Sequence, residues 1–223
     1  MGLLSLLGYG PLSEKKIEKI VKLASNPFAQ TDIRMREMHR LLEDGSDQAL
    51  HGVLKRFSVN ASGGIADEDE KKYLEDAVVN KGEAMLVSLR SYIQNEKQLS
   101  YALNAYKRIV GDEAATHFFI SVLNRHGPES YRATDAKLQL IWMLGGHLSD
   151  EEVLVCLLSF LEDHSDDVRW AVIDLLESAV DAQPEGAALI ERCATSLGQL
   201  LVEEVVSPRI LQRAANIMCE RGW

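Results

Sequence analysis

The chain has 223 residues, 46% of them hydrophobic and 26% charged, and a formal net charge of −10. That apolar share can build one or two globular domains, and five prolines and fifteen glycines exclude collagen-like and Pro/Gly-rich disordered classes. Three cysteines without paired spacing exclude a disulfide framework and predict a reducing, cytoplasmic setting.

The longest apolar runs, such as Val153–Leu158, fall far below the ~20 residues of a membrane helix, so no integral membrane segment is expected. Charge is uneven. Residues 1–64 carry nine basic and seven acidic side chains (+2), whereas residues 65–223 carry fifteen and twenty-seven (−12). Duplex-binding proteins neutralise phosphates with a basic face, so nucleic acid is excluded as the expected partner. The one basic stretch, Lys15, Lys16, Lys19, Lys22, Arg34, Arg36 and Arg40, is interleaved with Glu14, Glu18, Asp32 and Glu37 and reads as a solvated helix face.

The first ten residues, MGLLSLLGYG, lack the cationic start and long apolar stretch of a signal peptide. Leu6 stands where myristoylation requires Ser or Thr. The segment reads as an apolar arm on the first helices, with a docking peptide as the alternative. Helical periodicity then runs through 13–25, 31–43, 47–58, 67–80, 83–94, 97–110, 112–125, 130–144, 149–162, 166–181, 185–203 and 207–221. Ser13, Ser149 and Ser165, each followed by acids, read as N-caps, and Gly45, Gly82, Gly111, Gly127 and Gly145-Gly146 mark helix ends. The one long irregular segment, Val59–Ala66, reads as a loop inside the array, with a hinge between two halves as the alternative. The chain is therefore expected to be all-α.

Stripes fix the expected core. Helix 97–110 presents Leu99, Ala102, Leu103 and Tyr106; helix 166–181 presents Val168, Ala171, Val172, Leu175 and Ala179. In the N-terminal half Met35, Met38, His39 and Leu42 form a stripe, with Asp32-Ile33-Arg34 out of phase. Trp142, between Ile141 and Met143, is expected in the core, and Trp223 to fold back on the last pair. An arginine follows the first stripe position at Tyr131-Arg132, Val168-Arg169 and Pro208-Arg209, 37 and 40 residues apart.

The segment from Phe160 to Leu176, in which an apolar helix is followed by an acidic turn and then Asp167-Val168-Arg169, resembles a HEAT repeat. The whole chain is also similar to bacterial HEAT-repeat proteins, through its Leu-Glu-Asp-Gly-Ser (residues 42–46) and Asp-Asp-Val-Arg (166–169) blocks. The resemblance implies a right-handed α-solenoid of about six stacked antiparallel helix pairs. Residues 1–64 would form N-terminal cap repeats with the arm, and 65–223 the HEAT-like array, as one continuous solenoid.

It further implies that the second helix of each pair lines a concave face. Off-stripe residues there are the candidate partner-binding surface: Tyr101, Asn104, Arg108, Lys137, Trp170, Asp174, Glu177 and Arg213. Trp170 reads either as a groove anchor or as packing against the next helix. Arg132, Arg169 and Arg209 read as a structural ladder to neighbouring repeats.

No motif for metal, phosphate or nucleophile chemistry appears, and no catalytic, cofactor or metal site is assigned. His39 and His51 read as interior or rim residues. Cys156, Cys193 and Cys219 read as inert core thiols. The acids Asp67–Glu70 and Asp150–Glu152 read as helix starts.

The expected function is a non-catalytic scaffold or adaptor for another protein bearing a basic or mixed-charge patch. The alternatives are a HEAT-like enzyme, similar to alkylpurine DNA glycosylases through the Trp170/Asp174 spacing or to bilin lyases, and a membrane or polymer-surface module using Leu3–Leu7.

Overall fold

Helix-forming runs punctuated by caps and glycines give helices with short joints, and the computed structural model, which describes residues 12–182, 186–202 and 207–223, is all-helical over them. The expected arm lies outside the described residues. The chain divides into two compact units, Met1–Ala115 and Thr116–Trp223. Residues on both sides of the 64/65 position belong to the first unit.

The first unit holds α1 (Glu14–Ala24), α2 (Thr31–Asp44), α3 (Asp47–Leu54), α4 (Gly64–Lys81), α5 (Leu86–Asn95) and α6 (Ser100–Val110). Each helix touches the one two places on: α1 touches α3 and α3 touches α5, while α2 touches α4 and α4 touches α6. Sequential neighbours also pack, as α1 on α2 and α5 on α6. The core between them is Ile17, Ile20, Met38, Leu41, Leu50, Val53, Leu74, Leu89, Leu103 and Tyr106, all buried. The stripe predicted for 97–110 is buried in full.

Helix α7 (Asp112–His126) leads into the second unit, which continues with α8 (Thr134–Leu144), α9 (Glu151–Ser159), α10 (Asp166–Ala182), α11 (Ala187–Leu200) and α12 (Pro208–Arg221). There α8 touches α10, α10 touches α12, and α11 touches both α10 and α12. Several predicted segments end or begin in 3₁₀ turns, at Lys55–Ser58, Gly82–Met85, Tyr131–Ala133 and Phe160–Glu162, where a tighter turn closes the helix end.

The cap of α9 is Asp150 rather than Ser149: its carboxylate accepts from the Glu152 N–H at 2.8 Å. At Gly45 the backbone reaches φ 69°, the left-handed region that ends α2. Gly145 does a different job. Its φ is ordinary, but a Cβ there would lie 2.5 Å from Leu175 Cδ2, so α10 approaches this turn closely.

Four core expectations need correction. Trp142 is 54% exposed, because α8 buries Ala136, Lys137, Leu140, Ile141 and Leu144, and Trp142 lies one residue (about 100°) past Ile141. On α10 the stripe turns slightly, with Ile173, Leu176 and Val180 buried and Leu175 and Ala179 half-buried at its rim. His39 is exposed on α2, against Tyr73, because the buried side of α2 runs through Arg34, Met38 and Leu41. Cys219 is exposed, off the Ile210, Ala214 and Ile217 side of α12.

Candidate functional site

The expected surface residues fall into two groups, one in each unit. On α6, Tyr101 is half-buried and its ring stacks on Phe57 at 5.5 Å, while Asn104 and Arg108 are exposed. Arg108 donates to Glu75 at 2.9 Å and Asp76 at 2.8 Å, both on α4.

In the second unit Trp170, Asp174, Glu177 and Arg213 come together where α10 meets α12. Arg213 donates to Asp174 at 2.9 Å and also to Glu177. The Arg209 and Arg213 guanidinium carbons lie 4.5 and 5.6 Å from the centre of the Trp170 ring, within cation–π range. Further along, Arg209 reaches Asp167 at 3.1 Å and Arg221 reaches Asp181 at 2.7 Å. These residues therefore hold α12 to α10, and Trp170 is half-buried beneath arginines of α12.

Lys137 must be removed from the surface set. It is fully buried, and its ammonium donates to Asp163 at 2.5 Å and to the Gly127 carbonyl at 3.3 Å. It sits on the buried stripe of α8, four residues after Ala133 and three before Leu140. Its long stem packs as an apolar side chain while its head finds a carboxylate. Asp163 organises the whole corner: its other oxygen accepts from the Ser165 N–H at 2.8 Å, and Arg169 donates to its carbonyl. Near Lys137, His126 is half-buried with a buried Nε2 that has no hydrogen-bond partner among the described residues, and burial, Lys137 and Arg125 together hold its imidazole below the usual range.

Of the three proposed ladder arginines, Arg169 and Arg209 make the bonds just given, whereas Arg132 is exposed and has no ion pair among the described residues.

Sequence reasoning missed a third feature, a buried ionic cluster between α2, the end of α3 and α4. Glu70, 2% exposed, accepts from Arg34 Nε at 2.8 Å, from another Arg34 nitrogen at 2.6 Å, and from Arg56 at 3.1 and 2.9 Å. Arg56 is wholly buried and also donates to Asp67 at 2.5 Å and to the Val59 carbonyl at 2.7 Å. Lys71 pairs with Asp67 at 2.8 Å and holds Asn60 at 2.8 Å.

Burial works to raise the Asp67 carboxyl, but Lys71, the Ala61 N–H and Arg56 outweigh it and bring it down to about 2. Glu70 is likewise lowered, burial being overcome by Arg34 and Arg56. Arg34 therefore does not belong to the solvated basic face, and Asp67 and Glu70 are more than a helix start. The cluster ties down the Val59–Ala61 part of the expected loop. The signal was present: Arg34 stands four before Met38, and Glu70 stands four before Leu74, so both stripes run back through charges of opposite sign.

One groove of ≈ 640 Å³ lies among Ile120, Asn124, Asp150, Glu152, Val155 and Cys156. Its acids are engaged, Glu152 with His117 at 3.1 Å and Asp150 as a cap. Burial pushes the Cys156 and Cys193 thiols up to about 11, which makes both poor nucleophiles. Among the described residues no group of three or more His, Cys, Asp or Glu is placed to hold a metal ion. No helix among them is long and apolar enough to cross a membrane.

No family model, curated protein or solved structure matches this chain.

Proposed function

We propose that the protein is a non-catalytic scaffold of the HEAT-like α-solenoid kind, a right-handed stack of about six helix pairs that holds another protein along the face of its second helices. One observation supports this reading: side chains bond repeatedly across chain separations of 32 to 39 residues. Arg34 meets Glu70 at 36 residues, Arg108 meets Glu75 at 33, Ser58 meets Tyr92 at 34, Cys156 meets Asn124 at 32, and Arg213 meets Asp174 at 39. Each joins helices two places apart, the register of stacked pairs whose neighbours cover each other's apolar faces.

The residues offered to a partner are Tyr101, Asn104 and Arg108 in the first unit and, as a separate surface, Trp170, Asp174, Glu177 and Arg213 in the second. Their charges are already paired along the stack, so recognition there rests on aromatic and amide groups and on the surplus of acids. A partner with a basic or mixed-charge patch fits that surplus.

The test is a nuclease-treated affinity pull-down with wild type, Trp170→Asp and Arg108→Glu, followed by titration of the captured protein in purified form. The expected result is direct binding by wild type that is weakened at least tenfold in a variant of unchanged helicity. Equal binding by all three moves the interface off this face and defeats the proposal.

A further inference from the structure

The exposed face of α1 and the turn that follows it were absorbed by no part of the scaffold reading. Helix α1 buries Ile17, Ile20 and Ala24. Lys15, Lys16, Lys19 and Lys22 are all exposed, and none has an ion-pair partner among the described residues. At 3.6 residues per turn Lys15, Lys19 and Lys22 stack on the side away from the core, with Lys16 and Leu23 along one edge and Glu14 and Glu18 along the other. Leu23 is 42% exposed within this basic stripe.

Five residues on, Phe28 is 91% exposed, a large apolar side chain standing in water. Its turn is held firmly. The Phe28 N–H donates to Asn26 Oδ1 at 2.9 Å, and the Ala29 N–H donates to the Asn26 carbonyl at 3.2 Å. Arg34 donates to the carbonyls of Asn26 and Ala29. Because Arg34 is itself clamped by Glu70, the buried cluster holds the backbone of the turn that carries this exposed ring. A ring carried on a held turn costs less backbone ordering when it docks than one on a free loop.

We propose that this face, Lys15, Lys16, Lys19 and Lys22 with Leu23 and Phe28, docks the protein onto an anionic lipid surface. The chemistry of the patch selects that occupant. Four ammonium groups with no ion-pair partner among the described residues, on flexible apolar stems and beside two exposed apolar side chains, match headgroup phosphates and carboxylates above an acyl boundary. The patch is an exposed helix stripe followed by an exposed ring; the described grooves, around Ile120 and Leu148, are in the second unit.

Helix α1 has 11 residues, about 16 Å, and lies along the surface in this arrangement. The proposal is independent of the scaffold reading, since none of its residues belongs to the α6, α10 or α12 set.

The test is co-sedimentation of the full chain with phosphatidylcholine vesicles, with and without phosphatidylserine. Wild type is expected to pellet only with the anionic vesicles. Each lysine near such a surface contributes about fivefold to partitioning, so Lys15→Gln/Lys19→Gln/Lys22→Gln is expected to lose roughly a hundredfold. Phe28→Ser is expected to lose roughly tenfold by removing one buried aromatic. All four positions are exposed, so circular dichroism should match wild type.

Failure of wild type to pellet with phosphatidylserine vesicles overturns the proposal, as does a triple variant that binds like wild type. Retention on heparin equal to vesicle binding, with Phe28→Ser unaffected in both, overturns it in favour of a soluble polyanion or an acidic protein.

Discussion

Glu70 is the pivot of the buried cluster, and replacing it tests whether charge balance, rather than hydrogen-bond number, sets the energetics there. The cluster contains three cations, Arg34, Arg56 and Lys71, and two carboxylates, Asp67 and Glu70. Glu70→Gln keeps the shape but leaves three buried cations facing one carboxylate, and it turns an amide donor toward guanidinium N–H groups that need acceptors. A buried charge left without its partner costs about 3–5 kcal/mol. Arg56→Met removes more hydrogen bonds, four against Glu70 and Asp67 and the Val59 carbonyl, yet leaves Arg34 with Glu70 and Lys71 with Asp67. Its cost is therefore lower, about 2–3 kcal/mol, chiefly the carbonyl and the lost charge-assisted bonds. Urea unfolding followed by far-ultraviolet circular dichroism measures both, with the loss expected in the transition of the unit containing residues 12–115. If Arg56→Met proves the more damaging of the two, or Glu70→Gln costs under about 1 kcal/mol, charge balance does not govern this cluster.

Three other outcomes are expected. The Asp67 carboxyl lies at about 2 in the folded chain, below its unfolded value, so its contribution is complete above pH ~4 and lost as pH falls toward 2. Acid titration of wild type against Asp67→Asn should show a gap of up to about 2 kcal/mol near neutrality that closes over this window. Lys137→Ala strands the wholly buried Asp163 and should destabilise by about 3–5 kcal/mol, whereas Lys137→Ala/Asp163→Ala should recover part of that loss; an additive double variant would contradict the pairing. A maleimide titration at neutral pH should label Cys219 quickly and leave Cys156 and Cys193 unreacted until denaturant is added.

The sequence was most legible where periodicity and punctuation agreed. The stripe of α6 is buried as read, and the joints at Gly45, Gly82 and Gly111 fall where the glycines stood. Legibility failed where a side chain's chemistry and its position on the stripe disagree. Lys137 and Arg34 sit in register with Leu140 and Met38, but a charge was read as solvent-facing because its partner lies 26 or 36 residues away. Trp142 failed in the opposite sense: flanking apolar residues suggested core, while the helical phase turned it outward. Trp170, Asp174, Glu177 and Arg213, named from the sequence as surface candidates, lie together where α10 meets α12. That their charges satisfy one another across two helices could not be read from residues 39 apart.

Bonds at separations of 32 to 42 residues have a consequence for synthesis. The ionic cluster of the first unit is complete at Lys71, so a nascent chain can close it, and fix the Phe28 turn, soon after that residue emerges. At ordinary elongation rates the last helix follows on the order of ten seconds later. The lysine face of α1 is thus assembled in its final form while the acidic remainder of the protein has yet to be made.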